Sequence, residues 1–356
     1  MKKKLLMMAL CIVTALGLTA CGSSVSYDDY DLGEYIKVGE YKGLKVAPYN
    51  ISVTEDEVDA KIQSNLQEAS STKELDKNTA IEDGDTVNID YEGKIDGKAF
   101  ENGSDKGHEL VIGSGSFIDG FESGIIGKKV GEKFDIDVTF PTDYKEKSLQ
   151  GKAAVFTVKV NSASREETPE YGLDFVQNTT DYKSLEEYEK SVEKALYDEK
   201  EQTEIENQKT TLWSSALENT EVKKYPEREL DYYIDFNSQQ MDEMAKAYGM
   251  NREEMLASYD FGDEDEFTAV NEDSSKLRVK QEMLIEYIAD KEKLEYTDKE
   301  VDKMIKEYEA AGYTDDTVMS QTGRTMEEYV KMELLYQKVL DFLLENANIT
   351  GAPEAE

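Results

Sequence analysis

The spacing of apolar residues separates one alternating segment from stretches with helical spacing. Between about residues 84 and 163 apolar side chains recur at every second position, as in Phe134, Ile136 and Val138. This period is typical of strands that bury one face. The same span holds about half of the chain's 23 glycines, which turns and tight loops require. The pattern therefore predicts a β-rich domain.

Helical spacing precedes and follows this segment. Residues 54–57 form a capping box, and Val58, Ile62 and Leu66 follow on one helical face. After about residue 168 glycines become rare and apolar stripes return with a period of 3.6. Five helices are predicted there, beginning near or covering positions 184, 226, 277, 297 and 325, and residues 297–300 and 325–328 are predicted to cap the last two. The sequence as a whole predicts an α+β fold class with a β-rich domain and an all-α domain.

The N-terminus has the pattern of a bacterial lipoprotein signal. Three lysines at 2–4 precede the apolar stretch 5–18, and small residues lead to Cys21. The stretch is too short for a membrane span. We expect cleavage after residue 20, lipidation of Cys21 and a lipid-anchored position at the extracytoplasmic face of the cell membrane. The alternative is an ordinary secretory signal in which Cys21 is incidental.

Composition narrows the possible functions. The chain has 78 acidic and 41 basic residues, a formal net charge of −37, so it lacks the basic surface that nucleic-acid binding requires. General solubility would explain the charge equally well. With two cysteines and one histidine, His108, the chain offers little for a disulfide framework, a zinc site or a His-based triad. We predict no cofactor and no metal.

Several motifs resemble one known family. The segment 110–163 begins LVIGSGSFIDGFESGIIGKK and contains Pro141 and Tyr144 in a later loop, and GDTVNIDYEGKIDGKAFENG stands at 84–103. Both are similar to the FKBP-type peptidyl-prolyl isomerase domain built into bacterial trigger factors. KYPERELDYYIDF at 224–236 and YTDKEVDKMIKEY at 296–308 resemble stretches of the trigger factor chaperone domain. The resemblance implies an FKBP-like antiparallel sheet wrapped on a short helix, plus a helical trigger-factor C-terminal-type domain.

The resemblance also implies a domain layout. It places the isomerase domain at 83–164 and the helical chaperone domain at 165–349. A linker strand and helix that pack with the chaperone domain are expected at 41–82. The remaining segments are a signal peptide at 1–20, a tether at 21–40 and a tail at 350–356. The family's ribosome-docking N-terminal domain is missing, so ribosome binding is not expected.

The resemblance assigns eight residues to the proline pocket. It places aromatic walls on the strands and loops, a pocket floor, and two groups that hold substrate carbonyls: the backbone N–H of Ile118 and the hydroxyl of Tyr144. The predicted set is Tyr91, Phe100, Glu101, Phe117, Ile118, Phe121, Tyr144 and Phe156. His108 stands where other FKBP-type proteins have an aromatic wall residue, which would make the pocket more open and polar.

Two functional classes follow from these features. The first is a tethered folding factor that combines prolyl isomerisation with chaperone activity on unfolded or proline-containing polypeptides. Methionines concentrated between residues 241 and 332, near Tyr232, Tyr233 and Phe236, would suit a surface that accepts many partners. The second is a catalytically weak FKBP-like binding protein that acts as a holdase, an adhesin or a solute-binding lipoprotein.

Overall fold

The computed structural model describes residues 25–350. The predicted signal peptide, Cys21 and residues 351–356 lie outside the described residues. The chain forms two compact units. One, the β unit, consists of residues 52–198, and the other, the helical unit, combines residues up to 51 with those from 199 onward.

The described chain begins with short elements of the helical unit. These are helix α1 (Leu32–Tyr35), strand β1 (Ile36–Val38) and strand β2 (Lys45–Val46). Residues 25–38 fall within the predicted tether, yet Val25, Tyr27 and Ile36 are buried in a cluster with side chains of the helical unit. The apolar and aromatic content of this segment explains its packing, because such side chains gain free energy by leaving water.

The β unit is built on a five-stranded antiparallel sheet. Its elements in chain order are helix α2 (Glu55–Glu68) and strands β3 (Ser71–Glu74), β4 (Thr86–Ile95), β5 (Lys98–Val111), β6 (Lys133–Thr139) and β7 (Ala153–Glu167). The sheet order is β3-β7-β4-β5, and β6 pairs with the first part of β7. The long β7 strand therefore organises the sheet, pairing with β3, β4 and β6.

One face of this sheet covers the segment between β5 and β6. Val87, Ile89 and Val158 are fully buried on the strands, and Phe121 and Ile125 from that segment are fully buried against them. The segment forms consecutive hydrogen-bonded turns at 118–128 where a short helix was predicted. Gly120 and Gly127 have φ of +94° and +83° there, which a regular right-handed helix does not allow.

Helices α2, α3 (Leu173–Thr179) and the first part of α4 (Leu185–Glu218) complete the β unit. Ile62 and Leu66 of α2 pack on Phe175, Val176 and Tyr188. The predicted capping box at Thr54 is present, with the side chains of Thr54 and Glu57 each bonded to the other's backbone. Helix α2 packs on residues 175–192, which lie in the predicted chaperone segment but belong to the β unit. The compact units therefore have other boundaries than the predicted segments.

The helical unit contains the rest of α4 and six further helices among the described residues. These are α5 (Glu227–Ala247), α6 (Arg252–Ser258), α7 (Glu264–Glu292), α8 (Asp298–Ala310), α9 (Asp315–Thr322) and α10 (Met326–Glu345). Strand β8 (Thr220–Val222) pairs antiparallel with β1, and β9 (Asn348–Ile349) pairs parallel with β2. The predicted capping boxes at Thr297 and Thr325 are both present.

The predicted α+β fold class is confirmed by this arrangement of one sheet-based unit and one helical unit. None of the helices within residues 25–350 combines the length and the apolar character that crossing a bilayer requires.

Candidate functional site

The predicted pocket aromatics meet on one side of the sheet in the β unit. Tyr91 of β4 lies at the centre, with its ring centroid 5.4 Å from that of Phe117, 5.9 Å from Phe121 and 6.1 Å from Phe156. Phe117 stacks on Phe121 at 4.2 Å. Phe121 and Phe156 are buried, whereas Tyr91 and Phe117 are partly exposed. The arrangement is an aromatic cluster in which two rings are buried and two are accessible.

A second set of rings extends this cluster. Phe100 of β5 contacts Phe156 edge-on at 5.9 Å and Phe140 at 5.7 Å. Phe140 in turn lies 4.9 Å from Tyr144, whose loop follows Pro141. Seven of the eight predicted site residues therefore belong to one hydrophobic core or pack directly against it.

Two glycines make room for the Phe100 ring. A Cβ atom at Gly103 would lie 2.6 Å from Phe100 Cε2, and one at Gly93 would lie 2.8 Å from Phe100 Cε1 and 2.6 Å from Phe156 Cε1. Side-chain atoms do not approach so closely, so the ring position requires glycine at both sites. Both glycines are visible in the sequence, but their close contact with the Phe100 ring is not.

Three polar groups at this cluster have no hydrogen-bond partner within residues 25–350. They are the backbone N–H of Ile118 and the hydroxyls of Tyr91 and Tyr144. Burial, with smaller contributions from Asp105 and Tyr144, raises the pKa of Tyr91. Its hydroxyl therefore remains protonated at neutral pH and can donate a hydrogen bond. Such groups beside an apolar wall suit a ligand with carbonyl oxygens.

Glu122 is a site residue that the sequence analysis missed. Its buried carboxylate accepts hydrogen bonds from the backbone N–H groups of Gly113 at 2.8 Å, Gly115 at 3.1 Å and Phe117 at 3.0 Å. Burial acts to raise the pKa of this carboxyl, but the backbone donors outweigh it and hold the pKa below its usual value. An acidic residue directly after the buried Phe121 was the available signal.

Two residues at the edge of the site, Glu101 and His108, are polar and lie outside the buried aromatic core. Glu101 is exposed and lies outside the aromatic cluster, since its backbone is on β5 beside Phe100. His108 packs its ring edge-on to Tyr91 at 5.9 Å and to Phe117 at 5.4 Å, and its Nδ1 lies 3.3 Å from Asp105 Oδ2. His108 therefore places a partly exposed polar side chain beside Tyr91 and Phe117.

The geometry defines a class of protein. An aromatic cluster on an antiparallel sheet, beside three donors that have no partner within residues 25–350, is joined in one chain to a helical unit. The family model for FKBP-type peptidyl-prolyl cis-trans isomerases matches residues 77–161. The model for the bacterial trigger factor C-terminus matches residues 184–345.

Comparisons over most of the chain indicate the same family as these two family models. Trigger factor of Halothermothrix orenii is 33% identical over 320 residues, which cover 87% of this chain and 72% of that protein. Trigger factor of Bacillus subtilis is 33% identical over 313 residues, covering 87% of this chain and 73% of the relative. The chain belongs to the trigger factor family. A solved structure, described as promiscuous substrate recognition in folding and assembly activities of the trigger factor chaperone, shares its fold at 19% identity, with a TM-score of 0.50 and coverage of 87% and 72%.

The predicted location is wrong by these comparisons. A lipid-anchored position at the cell membrane was predicted from the N-terminal pattern ending in Cys21. The relatives that match most of this chain are cytoplasmic trigger factors, and none of these matches supports a lipid anchor. The apolar stretch that suggested the anchor lies outside the described residues.

The methionines of the helical unit have two different environments. Met241, Met244 and Met255 are buried in one small core at the α5–α6–α7 end of the unit, whereas Met250 is 41% exposed. Tyr233, which was predicted to contribute to a client surface, is fully buried. Most of this methionine content therefore fills a core, which is the commoner use of methionine in folded proteins.

Proposed function

We propose that this chain is a folding factor whose β unit catalyses peptidyl-prolyl cis–trans isomerisation. The observation that carries the proposal is the proximity of the rings of Tyr91, Phe117 and Phe156 to two donors, the Ile118 N–H and the Tyr144 hydroxyl, that have no partner in the described part of the chain. Rotation about a peptide bond has a barrier of about 18–20 kcal/mol. A catalyst therefore needs to bind the twisted bond better than the planar one.

The chemistry of this pocket favours the twisted state. The imide loses much of its dipole when it rotates, so an apolar aromatic enclosure stabilises the twisted form relative to the planar form. Hydrogen bonds from Ile118 N–H and the Tyr144 hydroxyl would fix the carbonyls on either side of the rotating bond. Neither step transfers a proton or forms a covalent bond to the protein.

The helical unit is proposed to hold unfolded polypeptide clients. Among its described residues, Tyr248 is 71% exposed and lies beside the exposed Met250, between α5 and α6. A cavity of about 410 Å³ in the same unit is lined in part by Trp213, Tyr329 and Tyr336. Exposed apolar tips and aromatic cavities are the surfaces on which unfolded segments bind. The strongly acidic composition favours polypeptide over nucleic acid as the partner.

The experiment uses the full-length protein and one pocket variant. We expect the unaltered chain to accelerate isomerisation of a short prolyl peptide and to suppress aggregation of a denatured protein. Phe117→Ala removes a partly exposed wall and should lose most of the isomerase activity while leaving aggregation suppression intact. Loss of both activities in a variant that remains folded would mean that the two units do not act as separate sites. Activity in neither assay for the unaltered chain would refute the proposal.

A further inference from the structure

Two tyrosines near the start of the described chain bind buried carboxylates of two different helices. The Tyr27 hydroxyl donates to Glu282 Oε2 of α7 at 2.9 Å, and the Tyr30 hydroxyl donates to Glu229 Oε2 of α5 at 2.6 Å. Glu229 is fully buried, and Glu282 is nearly so. Burial and then the bond to Glu229 raise the pKa of Tyr30 to about 12. Burial, followed by the Glu282 charge, also raises the pKa of Tyr27 well above its usual value, so both hydroxyls remain donors at neutral pH.

The same segment meets a small group of cations. Arg228 donates to the backbone oxygen of Ser26 at 2.9 Å, and Lys223 donates to that of Gly33 at 2.6 Å. The Lys224 ammonium lies 4.2 Å from the centre of the Tyr35 ring. Lys223, Lys224 and Arg228 thus all contact this segment. The segment itself contains Asp28, Asp29, Asp31 and Glu34, and the Lys224 ammonium lies 3.3 Å from Glu34 Oε2.

We infer that this face of the helical unit is a receptor for acidic, tyrosine-bearing segments, and that residues 25–36 occupy it in cis. The receptor face is defined by Lys223, Lys224, Arg228, Glu229 and Glu282. Lys223 and Lys224 select negative charge, whereas Arg228 is paired with Glu229 Oε1 at 2.6 Å. The two buried carboxylates select hydroxyl donors. A phenylalanine could fill the same space but would leave both carboxylates with one partner fewer.

These contacts are of the kind that a protein makes with a bound peptide, and they go beyond the packing of neighbouring residues along the chain. Side-chain hydroxyls, backbone carbonyls and ring faces of the segment are all engaged, and Ile36 then continues into the antiparallel pairing of β1 with β8. A strand addition with specific side-chain pockets is a recurrent mode of peptide binding. A covalently attached segment competes at an effective concentration of about a millimolar, so it excludes weaker partners.

Segments of other proteins that bind this receptor face would be unfolded clients, and this part of the inference rests on the proposed chaperone function. The receptor face itself does not, because it can be tested with a peptide of known sequence. Failure to suppress aggregation would count against the chaperone proposal alone. Failure to bind the peptide would count against the receptor face alone.

The test uses the full-length protein with Tyr27→Ser and Tyr30→Ser, which removes both rings and hydroxyl contacts of the resident segment. A fluorescent peptide with the sequence of residues 25–36 should bind this variant, and fluorescence anisotropy measures the affinity. The unaltered chain should bind the peptide at least about tenfold more weakly, because its own segment competes. Charge reversal by Lys223→Glu and Lys224→Glu in the double variant should abolish binding.

A peptide with phenylalanine at both tyrosine positions is the matched control, and it should bind at least about fivefold more weakly than the parent peptide. If the serine variant folds poorly, Tyr27→Phe and Tyr30→Phe in the full-length chain retain the rings. Hydrogen exchange of residues 25–36 should then accelerate while residues 154–160 are unchanged. A peptide that fails to bind a variant with native circular dichroism, or unchanged exchange in the phenylalanine variant, would overturn the inference.

Discussion

The carboxylate of Glu122 accepts a hydrogen bond of 3.0 Å from the backbone N–H of Phe117. This bond, with those from Gly113 and Gly115, fixes the glycine-rich loop that ends at the pocket. The next residue, Ile118, leaves its own N–H without a partner among the described residues. Glu122 thus fixes the backbone that carries the Phe117 ring and the Ile118 N–H.

We predict that Glu122→Ala lowers isomerase activity strongly and lowers the free energy of unfolding only slightly. Three backbone N–H groups would lose their acceptor, but Gly113 and Gly115 are exposed, so water can replace it and the free energy of unfolding should fall by only about 1 kcal/mol. The loop would then hold Phe117 and Ile118 in several positions, and kcat/KM for a prolyl peptide should fall at least about tenfold. Glu132→Ala, at an exposed acid of the same unit, is the matched control and should leave kcat/KM unchanged. Equal kcat/KM for the two variants would show that the loop needs no carboxylate.

Tyr144→Phe tests the proposed carbonyl contact with almost no change in volume. The hydroxyl has no partner within residues 25–350, so its removal should leave the free energy of unfolding within about 0.5 kcal/mol. Loss of one hydrogen bond made during rotation should lower kcat/KM about fivefold to tenfold. Tyr91→Phe provides the comparison at the other hydroxyl that lacks a partner among the described residues. An unchanged rate for Tyr144→Phe would remove this residue from the site.

Gly103→Ala should disturb the pocket through Phe100. The new Cβ would lie 2.6 Å from the Phe100 ring, so the ring has to move away from Phe156. Overpacking of this kind costs about 1–3 kcal/mol, and isomerase activity should fall with it. Gly172→Ala is the matched control, because a Cβ there meets no atom within 4 Å and the backbone is extended. Thermal unfolding and peptide isomerisation of both variants measure the difference.

The helical unit should lose stability as the pH rises through neutrality. Glu286 borders a cavity of about 640 Å³ together with Asp28, and burial, followed by the Asp28 charge, raises the pKa of Glu286 to about 7. The folded form therefore holds a proton that the unfolded form releases near pH 4.5. This stabilising contribution is complete below the unfolded pKa and is lost as the pH rises through the folded pKa.

The size of this effect can be measured by difference. Relative to Glu286→Gln, the unaltered chain should lose about 2 kcal/mol of unfolding free energy between about pH 5 and pH 8. Urea unfolding followed by Trp213 fluorescence reports on the helical unit alone, because this buried residue is the only tryptophan. A constant difference between the two proteins across this range would mean that Glu286 titrates normally.

The sequence predicted the elements whose signals are local. Alternating residues such as Phe134 and Ile136 gave the strands, and the capping boxes at Thr54 and Thr297 gave helix starts that the structure confirms. The aromatic set could be named because motifs of the family keep it in order. Its assembly into one cluster depends on strand pairing over long sequence distances, for example Gly93 with Phe156.

Contacts without a local signal were not predictable. Glu122 looks like a solvated charge in the sequence, and only the fold shows three backbone donors converging on it. Residues 25–38 show little periodicity, so they suggested a tether. Their packing depends on Glu282, which lies 255 positions after Tyr27. Such pairs become visible only when the whole chain is folded.

The most direct test of the account is the rate of cis–trans isomerisation of a short prolyl peptide with the intact, full-length chain. Uncatalysed isomerisation takes tens to hundreds of seconds at about 25 °C. We predict a clear acceleration that is proportional to protein concentration, constant between about pH 6 and pH 8 because no side chain transfers a proton, and largely lost in Phe117→Ala. A folded, unaltered chain that leaves the peptide at its spontaneous rate would contradict the assignment of this aromatic cluster as an isomerase site.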